Sequence, residues 1–254
     1  MATFQGVFRS AALGMDTHLS VVLPHDFEAP NLREPCPVLY LLHGLSQGSD
    51  AWLRRSNVER YCREYGVALV MPEVQRSFYL DLTYGPRYFT YVSGELPEIC
   101  RRMFRLSPAR EDTFVAGLSM GGYGALLCAL SRPEQYAAAA SFSGALDIRD
   151  VAANFTTDAT APEMVAAFGP ALEVPPEADL FHLANLAAAR SPCPRLLLTC
   201  GEQDDLLIGM SRRLDAHLDS LPIEHRLATW PGGHDWDFWD RSVVHALEFF
   251  FGGK

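Results

Sequence analysis

Apolar residues recur along this chain in two rhythms. Residues 38–42, 67–71, 113–117, 136–143 and 195–200 are short, mostly apolar runs without polar alternation. Strands covered by helices on both faces read this way, because neither face meets water. Between these runs, apolar positions follow the 3.6-residue period of a helix. One such face is Val58, Tyr61, Cys62 and Tyr65; a second is Leu96, Ile99, Cys100 and Met103, with Arg101, Arg102 and Arg105 turned to solvent; a third is Leu207, Met210, Leu214 and Leu218. An Ala- and Leu-rich segment at 122–130 and a closing segment at 236–250 complete the helices, and 225–230 reads as the last strand. The first two segments, 3–9 and 15–23, alternate loosely around Gly14-Met15-Asp16, which predicts an antiparallel pair at one sheet edge.

Punctuation supports the same division. Ser56-Asn57-Val58-Glu59 has the spacing of a capping box, Gly66 is placed to stop the helix that follows, and Pro72 closes a strand. Residues 24–37 form a Pro-rich loop. Between 78 and 91, Tyr79, Tyr84, Tyr88 and Phe89 crowd a stretch with no period, which suits a pocket wall or the packing of a long loop. From 148 to 191 the period breaks, with short helical pieces around Met164 and Leu183, and a small insertion near 150–190 over the site is expected. The alternation as a whole predicts a single α/β domain over 1–254, with a mostly parallel central sheet and helices on both faces.

Composition narrows the partners. A chain of 254 residues with 48% hydrophobic and 20% charged residues can bury a large core. Its formal charge of −10 disfavours nucleic acid and anionic membrane surfaces, which both call for a basic face. A small molecule is the expected partner, and the sequence leaves a homo-oligomer open. The N-terminus, Met1-Ala2-Thr3-Phe4-Gln5-Gly6, lacks the charged and then apolar pattern of a secretory leader, and no apolar run approaches the ~18 residues of a membrane span. Six cysteines fall singly with no C-x-x-C. They read as buried thiols of a reducing compartment, so a cytoplasmic location is expected.

Chemistry concentrates at Gly117-Leu118-Ser119-Met120-Gly121, between an apolar run and an Ala/Leu-rich helix. G-x-S-x-G in that context is a nucleophile elbow, in which glycines flank a serine held in a strained turn because neighbouring strand and helix leave no room for Cβ atoms. Acyl transfer by serine also needs a base, a carboxylate to orient it and donors for the oxyanion. His234 follows the last strand and is the candidate base. Asp204 follows the strand before it, giving the order Ser, acid, His expected of this arrangement; Asp205 and Asp147 remain alternatives, and any of the three could instead cap a helix. The candidate oxyanion donors are the backbone N–H of Leu45, after His43-Gly44, and that of Met120. Trp52, Tyr79, Tyr84, Phe89 and Trp236 are the candidate substrate pocket. No metal-ligand spacing such as H-E-x-x-H occurs, and neither metal nor cofactor is expected.

The match extends beyond the elbow. Leu41-Leu42-His43-Gly44-Leu45-Ser46 with Trp52, Met71-Pro72-Glu73-Val74-Gln75-Arg76-Ser77-Phe78-Tyr79, Gly117 through Ala125, Ser141 through Asp147, and Gly232-Gly233-His234-Asp235-Trp236 together resemble the esterase D-like branch of α/β-hydrolases. The nearest likeness is to the bacterial tributyrin esterase and feruloyl esterase group, with S-formylglutathione hydrolases more distant. The resemblance covers residues 4–250 and is thinnest over 150–190. It implies an α/β-hydrolase fold and a cofactor-free serine carboxylesterase of small soluble esters, carrying acetyl, butyryl or aromatic acyl groups such as feruloyl. It places the nucleophile on Ser119, the base on His234, the acid on Asp204 and the oxyanion amides on Leu45 and Met120. Asp205 departs from the group, where an apolar residue is more usual, and is read as the cap of a helix beginning near Leu206. A thioesterase of the S-formylglutathione type is the alternative within the class. From another class, an inert hydrolase fold could serve as an interaction module, against which an intact Ser119, Asp204 and His234 speak.

Overall fold

The computed structural model describes residues 1–25, 31–154 and 161–252. The middle of the Pro-rich loop and residues 155–160 of the expected insertion lie outside these. Among the described residues the strands are β1 (Ala2–Ser10), β2 (Met15–Leu23), β3 (Val38–Leu42), β4 (Ala68–Pro72), β5 (Thr113–Leu118), β6 (Ala138–Phe142), β7 (Arg195–Gly201) and β8 (His225–Trp230). They form one sheet in the order β1-β2-β4-β3-β5-β6-β7-β8. The β1–β2 and β2–β4 pairs are antiparallel and every other pair is parallel. The antiparallel edge and the parallel centre are those the two rhythms predict.

The helices are α1 (Ala51–Arg55), α2 (Val58–Tyr65), α3 (Tyr88–Thr90), α4 (Leu96–Met103), α5 (Met120–Ser131), α6 (Ile148–Asn154), α7 (Ala161–Phe168), α8 (Leu180–Ala188), α9 (Ile208–Leu218) and α10 (Trp236–Phe251). Because side chains alternate along a strand, each uninterrupted apolar run feeds two cores at once. Val38, Tyr40 and Leu42 join α4, α5, α8 and α9 on one face. Leu39 and Leu41 join Trp52, Val58, Cys62, Trp239, Val243 and Leu247 of α1, α2 and α10 on the other. Helix α5 is buried along nearly its whole length, since α8 covers the side turned away from the sheet.

Three local expectations are corrected. The capping box at Ser56 does not form: the Ser56 N–H that Glu59 would accept is already donated to the Trp52 carbonyl (3.1 Å), closing α1, a helix the sequence reading misses. Asn57 precedes α2 instead, and its N–H goes to Asp240 of α10 (2.7 Å), as does the Tyr61 hydroxyl (2.7 Å). Met103 is exposed rather than part of the buried face of α4, because the helix ends there and the chain turns extended at Phe104. The helix after Asp204 begins at Ile208 with Leu207 as its N-cap, so Asp205 does not cap it. The Asp204 carbonyl does that work, accepting the N–H groups of Leu207 (3.1 Å) and Ile208 (3.0 Å).

All six cysteines are free thiols and all but Cys193 are buried. Burial pushes Cys36 and Cys200 up to about 11 and Cys100 and Cys128 up to about 12, and raises Cys62 further. A thiol-reactive chromogen such as Ellman's reagent should therefore modify only Cys193 in the native protein and all six after denaturation. Rapid native modification of a second thiol would contradict the packing described.

Candidate active site

The serine stands where β5 turns into α5. Its backbone lies at φ 54°, ψ −118°, a region that costs a residue with a Cβ roughly 1–3 kcal/mol and persists only where the surroundings hold it. Here they do. The Ser119 N–H donates to the Phe142 carbonyl at the end of β6 (2.9 Å), and its carbonyl accepts from Gly122 (3.0 Å), Tyr123 (3.2 Å) and Ala145 (3.3 Å). The flanking glycines are required by crowding. A Cβ on Gly117 would sit 2.4 Å from the Gly121 carbonyl oxygen, and one on Gly121 2.5 Å from that of Leu42. Gly121 therefore lets α5 lie directly on the end of β3, beside the His43-Gly44-Leu45 turn.

The acid and the histidine come from neighbouring parallel strands, β7 and β8, whose following loops are stitched together. Glu202 N–H donates to Trp230 (3.1 Å), Gln203 N–H donates to Gly232 (3.0 Å), and the Gln203 side chain accepts the Gly232 N–H in return (2.7 Å). This brings His234 Nδ1 to 2.8 Å from Asp204 Oδ2 and its Nε2 to 3.1 Å from Ser119 Oγ. An ionised carboxylate only accepts, so in the neutral ring Nδ1 carries the proton and Nε2 is left free to accept from the serine hydroxyl. The Asp204 side chain is 1% exposed and that of His234 32%, so the acid is sealed off while the histidine reaches solvent. The ring of Trp239 meets that of His234 edge to face, with centroids 4.9 Å apart.

Neither alternative for the acid is hydrogen-bonded to His234. Asp147 accepts from Arg213 (2.9 Å) and caps the start of α6 through the Asp150 N–H (3.1 Å), while Asp205 is exposed. The backbone N–H groups of Leu45 and Met120 have no hydrogen-bond partner among the described residues. Among those residues no group of three or more His, Cys, Asp or Glu side chains is arranged to hold a metal ion.

A serine in a strained elbow, hydrogen-bonded in series to a histidine and a buried carboxylate, is an arrangement for covalent acyl transfer. Residues 10–250 match the model of the Esterase family. The chain belongs to that family. The esterase is 32% identical over 262 residues to an acetyl esterase of Caldicellulosiruptor saccharolyticus, with 98% of each covered. Among solved structures it is similar to a substrate-bound, fluorophosphonate-binding serine hydrolase F of Staphylococcus aureus (31% identical, 98% of each chain covered, TM-score 0.89). It is also similar to an S-formylglutathione hydrolase of the same organism (30% identical, 98% of each chain, TM-score 0.85). The esterase is accordingly a carboxylic ester hydrolase with the α/β-hydrolase fold. No described helix is long and apolar enough to cross a membrane.

Four of the five rings expected to line the substrate pocket of the esterase lie elsewhere. Trp52 is in the core, its indole N–H donated to the Leu42 carbonyl (3.1 Å), and Tyr79 is fully buried, its hydroxyl donated to the His43 carbonyl (2.9 Å). Between them they hold the end of β3 and its turn from the two faces of the sheet. Tyr84 is 85% exposed and forms no wall. Phe89 lines a different cavity, of about 390 Å³, between Leu127 and Leu130 of α5 and Phe168 and Leu183 of the insertion. At 1.5 Å per residue, Leu127 is roughly 12 Å down α5 from Ser119. Trp236 remains near the histidine, half-buried against Trp239 (5.4 Å) and Trp52 (5.1 Å). Gln203 and Trp239 were missed from the sequence. Neither has a motif of its own, although Trp239 lies one helical turn past Asp235, where a ring facing back toward the turn could be anticipated.

Proposed function

We propose that the esterase, folding as one domain over 1–254, hydrolyses small soluble esters with short acyl groups through an acyl-enzyme on Ser119. The observation that carries this reading is the unbroken series from Ser119 Oγ to His234 Nε2 (3.1 Å) and from His234 Nδ1 to Asp204 Oδ2 (2.8 Å). Ser119 Oγ attacks the ester carbonyl as its proton passes to His234 Nε2. The imidazolium formed is stabilised and oriented by Asp204, which stays ionised. The N–H groups of Leu45 and Met120 receive the oxyanion. The tetrahedral intermediate collapses, and the leaving alcohol takes the proton from Nε2. Water then attacks the acyl-enzyme with His234 again as base, releasing the acid and restoring the serine. Six free thiols, five of them buried, support a reducing, cytoplasmic setting.

Preference for short acyl groups is supported by the acetyl esterase relative and by the way the insertion is tied down. Thr83 binds the carbonyls of Ala166 (2.9 Å) and Ala167 (2.8 Å), Arg76 pairs with Glu163, Tyr123 donates to the Ala178 carbonyl (2.7 Å), and Arg149 pairs with Asp179 (2.8 Å). The described parts of the insertion, so fastened, are unlike the mobile apolar lid of a lipase. Each methylene refused by a pocket is worth about 1–3 kcal/mol, so the preference should be graded. Across p-nitrophenyl esters, kcat/KM is expected to peak at C2–C4 and decline thereafter. A rise continuing through C10, or activation by an oil interface, would contradict this.

Aromatic acyl groups such as feruloyl stay within the proposal through the resemblance, and methyl ferulate belongs in the panel. The second reading, a thioesterase of the S-formylglutathione type, is supported by the structural neighbour of that name at 30% identity over 98% of both chains. A kcat/KM for S-formylglutathione at least ~10-fold above the best ester, which corresponds to about 1.4 kcal/mol in transition-state binding, would make it the primary one.

A further inference from the structure

One carboxylate outside the triad is held firmly against the turn that carries Leu45. Glu73 directly follows β4. Its Oε2 accepts the N–H of Ser49 (3.1 Å), its Oε1 accepts that of Gln75 (2.8 Å), and Oε1 faces His43 Nε2 at 3.5 Å. Burial opposes its charge, and the two N–H groups that it accepts favour it.

The buried His43 ring is oriented at both nitrogens. Nε2 accepts the Val74 N–H (3.2 Å), so the proton of the neutral ring sits on Nδ1, where it is donated to the Gly44 carbonyl (2.8 Å). That carbonyl and the N–H of Leu45 belong to one peptide unit. In a planar trans peptide they point in opposite directions. Pinning the carbonyl therefore aims the amide.

We propose that Glu73 is a positioning residue of the oxyanion site: accepting the N–H groups of Ser49 and Gln75, it ties residues 43–49 to the end of β4 so that the Leu45 N–H points at the reacting carbonyl. The inference rests on the proposed roles of Ser119 and of the Leu45 amide. Glu73 acts through its neighbours and touches no reacting atom. Its chemistry suits the task because a carboxylate offers an acceptor to each of two N–H groups, whereas glutamine would turn an NH₂ against one of them.

Loss of an oxyanion donor costs about 10²–10³ in kcat, and a misplacement of about 1 Å about 10². Glu73→Gln is therefore expected to lower kcat ~10- to 10²-fold while KM changes less than ~3-fold, because an interaction specific to the transition state is impaired. A trifluoromethyl ketone of the best acyl group, which must build the oxyanion on Ser119, should lose affinity by the same factor. The corresponding trifluoromethyl alcohol, which cannot, should bind unchanged.

Gly48→Ala approaches the same contact from the loop side. Its Cβ would stand 2.6 Å from Glu73 Oε2 and displace the carboxylate from Ser49. It should reproduce the signature, and the double variant should lose no more than the worse single variant, as expected of two changes breaking one contact. Melting curves verify that each variant is folded, and if Glu73→Gln does not fold, Gly48→Ala decides the matter. Unchanged kcat in the folded variants, or equal loss of ketone and alcohol affinity, overturns the inference. Failure of the underlying reading would look different: the wild-type protein would itself bind the ketone no better than the alcohol.

Discussion

Ser119→Ala is expected to fold as the wild type does and to lose at least ~10³ in kcat, because triad members act as a unit and only binding and oxyanion stabilisation remain once one is removed. Stability should change little. Alanine keeps the Cβ and hence the same backbone strain at φ 54°. The backbone bonds to Phe142, Gly122, Tyr123 and Ala145 do not involve the side chain. What disappears is the hydroxyl's bond to His234, a partly solvated contact whose net worth is of the order of 1 kcal/mol. Steady-state hydrolysis of a p-nitrophenyl ester with a thermal melt of the same preparation checks both halves. Turnover near that of the wild type in a correctly folded Ser119→Ala protein would remove the nucleophile assignment.

The second large effect separates two adjacent aspartates. Asp204→Asn should lower kcat by ~10³–10⁴, the scale seen when the acid of a serine protease triad is made an amide. An asparagine amide facing His234 Nδ1 can donate, which moves the ring proton to Nε2, where it blocks acceptance from Ser119. Asp205→Asn should leave kcat within about twofold and the melt unchanged, the usual outcome for a surface substitution that touches nothing. Asp205 is exposed, and the first turn of α9 is satisfied by the Asp204 carbonyl. Side-by-side kinetics and melts of the two variants test this. A larger kcat loss for Asp205→Asn than for Asp204→Asn would exchange their roles.

How much of this is legible in the residues depends on the range of the forces involved. The centre of the sheet reads clearly because β3, β4, β5 and β6 are buried on both faces, and such strands carry few polar positions, here Thr113 and Ser141, and show no polar alternation. Ser119 and His234 stand out because each lies just past the carboxyl end of a strand, and parallel strands bring those ends to one edge; Asp204 shares that position with Asp205 and Asp147 and is separated from them only by the hydrogen bond to His234. The pocket rings do not read clearly. An aromatic residue in a loop can turn inward, as Tyr79 does to reach the His43 carbonyl, or outward, as Tyr84 does, and no local pattern separates the two. The capping box at Ser56 fails because its N–H closes α1 on the Trp52 carbonyl, and the start of α2 is held instead from far along the chain, by Asp240 of the last helix at Asn57. Glu73 was visible only as a letter in Met71-Pro72-Glu73-Val74. Its grip on Ser49, 24 residues away, appears only once β3 and β4 lie side by side.

Whether Ser119 is a nucleophile activated by its neighbours is tested most directly by a fluorophosphonate probe read out by peptide mass spectrometry. The wild-type protein should be labelled stoichiometrically on the peptide containing Ser119. Labelling should be absent in Ser119→Ala and slowed by at least ~10² in folded His234→Ala, which lacks the base. Wild-type protein that hydrolyses esters yet carries the label on another residue, or carries none, would contradict the central claim.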